Sequence, residues 1–168
     1  MAIDISTVGA TITISTASGT ITIKEFSDEG TPFDGGGVTV SQNQKNLNGT
    51  MISSRTPSVY PVTLSVIPGS DADFELTELV QKSAIQPGGV SAISDIVIGS
   101  LIIDVPGIDD SGQSTSRSYT YENGRIKQGP LGPGTSAQGR QSARTFQFEF
   151  ESFSLSGAGK TIIDGFAG

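Results

Sequence analysis

Four stretches of the chain alternate apolar and polar residues with a period of two, and that period constrains the fold more than any other feature. Residues 10–16 and 20–24 put Ile12, Ile14, Ile21 and Ile23 on one side and Thr11, Thr13, Thr20 and Thr22 on the other. Residues 61–67 repeat the pattern with Val62, Leu64 and Val66, and residues 144–151 set Phe146, Phe148 and Phe150 against Gln147, Glu149 and Glu151. Successive strand side chains point to opposite faces, so each stretch is a half-buried strand. Ala17-Ser18-Gly19 joins the first two as a hairpin, and Asn123-Gly124, between residues 117–122 and 125–127, is a strong hairpin signal as well. The expected class is mainly β: two packed antiparallel sheets, sandwich- or barrel-like, with one flanking α-helix. At 168 residues the chain is expected to be one domain, 1–168.

The helix is predicted after Pro68-Gly69. Ser70 is a good N-cap, Asp71, Asp73 and Glu75 sit where the helix dipole favours anions, and Ala72, Leu76, Leu79 and Val80 make one apolar stripe of about three turns. Between the strands, residues 25–37, 45–60, 106–116 and 129–139 read as loops rich in Gly, Pro or Asn. The second is too long for a simple hairpin connection and is expected to order on binding. Residues 90–105 read as a buried strand pair or one bent strand, with Gly99-Ser100 as turn or bulge. After Phe150 the apolar parity slips to Phe153 and Leu155, which predicts a bulge near Glu151-Ser152 that keeps them on the core side.

The inventory excludes most chemistry. With no His and no Cys there is no Ser-His-Asp or Cys-His nucleophile, no zinc site of the usual ligands and no disulfide. Ser154–Thr161 resembles the end of a phosphate-binding loop, but Ser154 stands where its first Gly belongs and no helix can follow. Asp71/Asp73, Asp109/Asp110 and Glu149/Glu151 lack metal-site spacing and read as solvated acidic surface. An enzyme is not expected, and no cofactor or metal. The net charge of -7 has the wrong sign for gripping nucleic acid. No signal peptide or membrane span is read, so synthesis in a cytoplasm without membrane insertion is the expectation. Charged residues are only 16 %, and an uncharged Thr face suits either solvent or another copy of the chain.

The order of parts, with Val38-Thr39-Val40-Ser41-Gln42-Asn43, Asn48-Gly49, Val62-Thr63-Leu64-Ser65-Val66 and the Ser70…Leu76…Leu79 helix, resembles the tail-tube protein family of long-tailed bacteriophages and phage-derived injection machines. The resemblance implies a virion protein whose hexameric rings join their inner sheets into a barrel and stack into a tube around a channel for the genome. It points to a contractile tail, with sheath, tape-measure, baseplate and tail-terminator proteins as partners and DNA passing without specific binding. The long loop of that family reaches the neighbouring ring, which here nominates Lys45, Asn48, Gly49, Met51, Arg55 and Tyr60. Thr11, Thr13, Thr20 and Thr22 become candidates for a strand edge shared between subunits, since few charges guard it. Gln147, Glu149 and Glu151 become candidates for the channel wall, where negative charge repels phosphate. The competing readings are another virion part (tail completion, baseplate or decoration protein) and a sugar- or surface-binding β-sandwich of a fibre or adhesin. Self-assembly separates them: a tube protein stacks indefinitely, a completion protein stops at one ring, and a binding module stays small.

Overall fold

Alternation produces strands wherever it was strong. In a computed structural model, which describes residues 9–26, 32–84, 96–108, 114–134, 139 and 141–157, the order is β1 (Thr11–Thr16), β2 (Gly19–Ile23), β3 (Phe33–Asp34), β4 (Ser41–Lys45), β5 (Met51–Arg55), β6 (Tyr60–Val66), α1 (Asp71–Ser83), β7 (Ile98–Ile108), β8 (Ser114–Gln128) and β9 (Arg144–Gly157). Seven strands form one antiparallel sheet in the order β2-β1-β7-β8-β9-β6-β3, and β4-β5 is a separate ribbon. The expected class therefore holds: mainly β, two antiparallel sheets, one helix. The sheets are very unequal, and among the described residues no pairing closes a barrel.

The large sheet wraps one core. Ile12, Ile14, Val62, Leu64, Phe146, Phe148 and Phe150 are buried as their alternation requires, and Leu76 and Leu79 of α1 enter the same cluster. Strands β7, β8 and β9 outrun their neighbours. The described pairing with β1 stops at Asp104, so Pro106 lies beyond that ladder, beside Gly9, where a residue without an N–H is tolerated. Residues 106–108 and 114–116 are thus strand, where a loop over 106–116 was expected.

A row across the three long strands decides which side chains face inward. In β7 the buried residues are Ile98, then Leu101 and Ile103; in β8 the core-packed residues are Tyr119 and Tyr121, then Ile126; in β9 they are Phe146, Phe148 and Phe150, after which Phe153 and Leu155 take the opposite parity. Each strand changes sides at one residue: Gly99, Asn123 or Glu151. On the β1 side the register shifts between Ser15 and Thr16 and passes over Gly99, so β1 keeps its parity. Between β8 and β9 there is no shift at this row, since Glu122 faces Ser152 and Gly124 faces Phe150; the shift in that pair lies further on, between Ile126 and Gln128. The parity slip in β9 is real, but the bulge expected at Glu151-Ser152 is a bulge at Gly99 carried in step through two further strands, and it does not put Phe153 and Leu155 into the core: Phe153 stays 39 % exposed and packs against Tyr60, Tyr119 and Tyr121.

Asn123-Gly124 does not reverse the chain. The type I′ turn that Asn-Gly favours needs positive φ at both central residues; Asn123 has φ 54°, but Gly124 is not among the positive-φ glycines, and β8 runs on through both, paired with β7 and β9, so one long strand kinks instead of two short ones pairing. Gly124 is there for space: a Cβ would run into the Phe150 ring and come within 2.5 Å of the Glu149 carbonyl oxygen.

Helix α1 follows its sequence signals. Ser70 accepts from the Asp73 N–H at 3.3 Å, and Asp73 Oδ2 accepts from the Gly69 N–H at 2.9 Å, a reciprocal cap. Asp73 is nevertheless buried, not solvated: its Oδ1 lies 3.0 Å from Arg144 Nε and accepts from the Thr77 hydroxyl. Arg144 also donates to the carbonyls of Pro130 and Gly132, tying helix, strand β9 and the loop that precedes it together.

Two outcomes follow. Gly124→Ala overpacks the Phe150 contact and costs roughly 1–3 kcal/mol, or about 3–10 °C in Tm; an unchanged melting curve contradicts the kink. Arg144→Ala strands the buried Asp73 carboxylate and costs about 3–5 kcal/mol in urea unfolding; a loss below 1 kcal/mol places that pair in solvent.

Candidate assembly surfaces

Residues 45–60 are not a structureless loop. Most of the segment belongs to the β4–β5 hairpin, registered from Ser41 opposite Arg55 to Lys45 opposite Met51. Its turn is fixed locally: Asn46 Oδ1 accepts from the N–H groups of Asn48 and Thr50, both at 3.0 Å, and Gly49 takes φ 81°, a conformation that favours glycine. Here the Asn-Gly pair does build a hairpin. Among the described residues the ribbon pairs with no strand of the large sheet, and every β5 residue is exposed. Leu47 at the turn is fully exposed, Met51 is 63 % exposed, and Val40, Ile52 and Val59 are exposed beside them.

Of the residues nominated from the sequence, Lys45, Asn48, Gly49, Met51 and Arg55 share this hairpin. Tyr60 does not; it opens β6 and stacks on Phe153 with ring centroids 6.2 Å apart. The apolar members Leu47 and Ile52 were missed. Their signal is the lack of alternation in Met51-Ile52, which puts one apolar side chain on each face of a ribbon that cannot bury both.

Thr20 and Thr22 lie on β2, the true edge of the sheet. Thr11 and Thr13 lie on β1, whose two sides are already paired with β2 and β7, so only their side chains can meet a neighbour. Gln147, Glu149 and Glu151 do point away from the core, but not as an isolated acidic row. Lys127 Nζ is 3.2 Å from Glu149, Arg125 stands opposite Glu149, and Asn123 donates to Glu151. Both β8 cations stand at Glu149, while Glu151 is held by the Asn123 amide.

Tyr60, Tyr119, Tyr121 and Phe153 form an aromatic group beyond the kink, with Tyr121 to Phe153 at 5.0 Å. Burial, then Tyr119 and Asp34, raises the Tyr121 phenol above its ordinary range, keeping it protonated. Among the described residues no set of three His, Cys, Asp or Glu is placed to hold a metal. No helix among the described residues is long and apolar enough to cross a membrane. Asp109, Asp110 and residues 158–168, including the second half of the phosphate-loop-like stretch, lie outside the described residues.

Solved structures share this fold over nearly its whole length. A chain of the anti-feeding prophage cap, the tube-terminating cap, superposes with TM-score 0.56 at 15 % identity, covering 92 % of each chain. A chain of the sheath–tube complex of the extracellular contractile injection system PVC in its extended state gives TM-score 0.55 at 12 % identity, covering 92 % of this chain and 93 % of that one. A chain of the anti-feeding prophage baseplate gives 0.58 at 7 %, covering 93 % and 97 %. No curated protein matches the sequence. The profile of the family described as tail fiber protein gp32 matches residues 3–154, and the chain belongs to that family.

Proposed function

We propose that this chain is a structural part of a phage-type tail that forms hexameric rings and stacks them into a tube around the path of the genome. The observation that carries the reading is the β4–β5 hairpin. An isolated two-stranded ribbon is marginal in water, yet this one has a well-formed turn and holds out Leu47, Met51 and Ile52 with nothing of its own sheet to cover them. Such a feature fits a protein whose fold is completed by a neighbour. The fold shared with chains of tube, cap and baseplate assemblies supports the same reading.

In this reading the hairpin contacts the next ring, the β2 edge with Thr20 and Thr22 pairs with the adjacent subunit, and the Thr11 and Thr13 side chains border that contact. Gln147, Glu149 and Glu151 form part of the channel wall, with Arg125 and Lys127 making it mixed in charge, so passing DNA meets no strong attraction or repulsion there. Sheath, tape-measure, baseplate and terminator proteins are the proposed partners in the virion, and the role involves no catalysis. The family's description as a tail fibre protein favours a second reading, a fibre component that binds a surface through the aromatic group at Tyr60, Tyr119 and Phe153.

Negative-stain electron microscopy with solution mass separates them. Rings or stacked tubes with a central hole are expected; a monomer or a slender rod at all concentrations overturns the ring reading. Replacing Leu47, Met51 and Ile52 together by Ser is expected to leave the melting temperature nearly unchanged, since exposed substitutions cost about 0.5 kcal/mol or less each. The same variant raises the concentration needed for assembly at least tenfold, as burying each side chain is worth roughly 1.5–3 kcal/mol. Assembly at the wild-type concentration removes the hairpin from the interface.

A further inference from the structure

We infer that Asn48, at the turn of the β4–β5 hairpin, is a site of spontaneous modification, where the free chain loses a side-chain amide and gains a carboxylate. Asparagine is chemically labile where the next backbone nitrogen can reach its side chain, and a glycine, with no Cβ, hinders that approach least. Of Asn43, Asn46, Asn48 and Asn123, only Asn48 and Asn123 precede glycine. Hydroxide removes the glycine N–H proton, and the nitrogen attacks the asparagine Cγ. A C–N bond forms, closing a succinimide ring, and the side-chain nitrogen takes a proton from water and leaves as ammonia. Water then hydrolyses either of the two ring carbonyl–nitrogen bonds, giving an aspartate or an isoaspartate.

The two Asn-Gly pairs sit in opposite settings. Asn48 is exposed, its side-chain amide has no hydrogen bond among the described residues, and nothing beyond the chain neighbours lies within 4 Å of where a Gly49 Cβ would stand. The Gly49 N–H donates to the Asn46 carbonyl at 3.0 Å, and Asn46 Oδ1 holds the N–H groups of Asn48 and Thr50, so the turn has to open before the nitrogen is free. Opening costs little, because the ribbon has only its own two strands to hold it among the described residues. Gly124 is buried in β8, the central strand of the seven, opposite Ile98 on one side and Phe150 on the other. Asn123 Nδ2 is tied to Glu151 at 2.5 Å. Freeing the Gly124 nitrogen requires opening the sheet at its centre, at a cost near that of global unfolding.

Position gives the reaction a consequence. Residues 38–60 contain two cations, Lys45 and Arg55, and not one carboxylate, so the new carboxylate removes one of two net positive charges. An isoaspartate also lengthens the backbone at the turn. Where the hairpin contacts the next ring, which rests on the ring reading above, an unassembled subunit ages out of assembly, and docking stops the reaction by holding the turn shut.

Ageing the purified chain in neutral and mildly alkaline buffer, followed by peptide mass mapping, tests the site. The Asn48 peptide is expected to gain the amide-to-acid mass difference as aspartate and isoaspartate together, faster at the higher pH and at least about tenfold faster than the Asn123 peptide. Asn46→Ala, which releases the turn, is expected to speed conversion at Asn48 and leave Asn123 unchanged. Equal rates at the two pairs, or no conversion at Asn48, overturn the site; a rate that Asn46→Ala does not raise overturns the part given to turn opening. For the consequence, assembled material aged beside free chain should keep Asn48 intact. Asn48→Asp should raise the concentration needed for assembly about threefold, the worth of one exposed charge pair, and Asn48→Gln should not. Equal conversion in assembled and free chain overturns the link to assembly and leaves the site standing, whereas a chain that converts at Asn48 but never forms rings or tubes overturns the ring reading alone.

Discussion

The transverse row at Gly99, Asn123 and Glu151 is the constraint on which the rest of the body depends. Three strands of 11, 15 and 14 residues cannot present one strictly alternating face to a single small core along their whole length. The row lets each strand change sides once, in register, so that Leu101, Ile103 and Tyr121 on one side of it and Ile98, Phe148 and Phe150 on the other all enter one cluster. Gly99 supplies the extra residue against β1, Asn123 takes the left-handed backbone, and Gly124 leaves room for Phe150. Without it, Ser152 and Ser154 would carry on the inward face begun by Phe150.

Much of this was legible in the sequence, and what was not has physical causes. Strict alternation marked β1, β2, β6 and the first half of β9, and Ser70 with the Leu76 and Leu79 stripe marked α1, because local geometry alone decides those patterns. The two Asn-Gly pairs show the limit. Asn48-Gly49 turns a hairpin because Asn46 organises the loop around it, while Asn123-Gly124 lies where β7 and β9 hold the chain on both sides and tertiary pairing overrides turn propensity. The slip in β9 was visible in Phe153 and Leu155, but its origin two strands away at Gly99 was not, since register is a property of the sheet. Burial of Asp73 was equally hidden, because its partner Arg144 is 71 residues distant in the chain.

Among the candidate site residues, the hairpin group was found by its length and turn chemistry, and the outward row of β9 by parity. The cations that offset Glu149 belong to β8, a strand whose register beside β9 no local pattern announces. The body buries most of its apolar residues, with Phe74, Leu131 and Phe153 left exposed, whereas β4–β5 leaves its apolar residues in solvent. An open, basic, apolar-tipped hairpin on that body is the physical basis for the self-assembly proposed for this member of the tail fiber protein gp32 family.

Amide hydrogen exchange on the free and assembled protein tests that division most directly. Amides of β7, β8 and β9 should be slow in both states, and those of residues 41–55 should be fast when free and become slow on assembly. Equal exchange of the hairpin in both states would contradict the account, because the segment would then be either complete by itself or uninvolved in the contact.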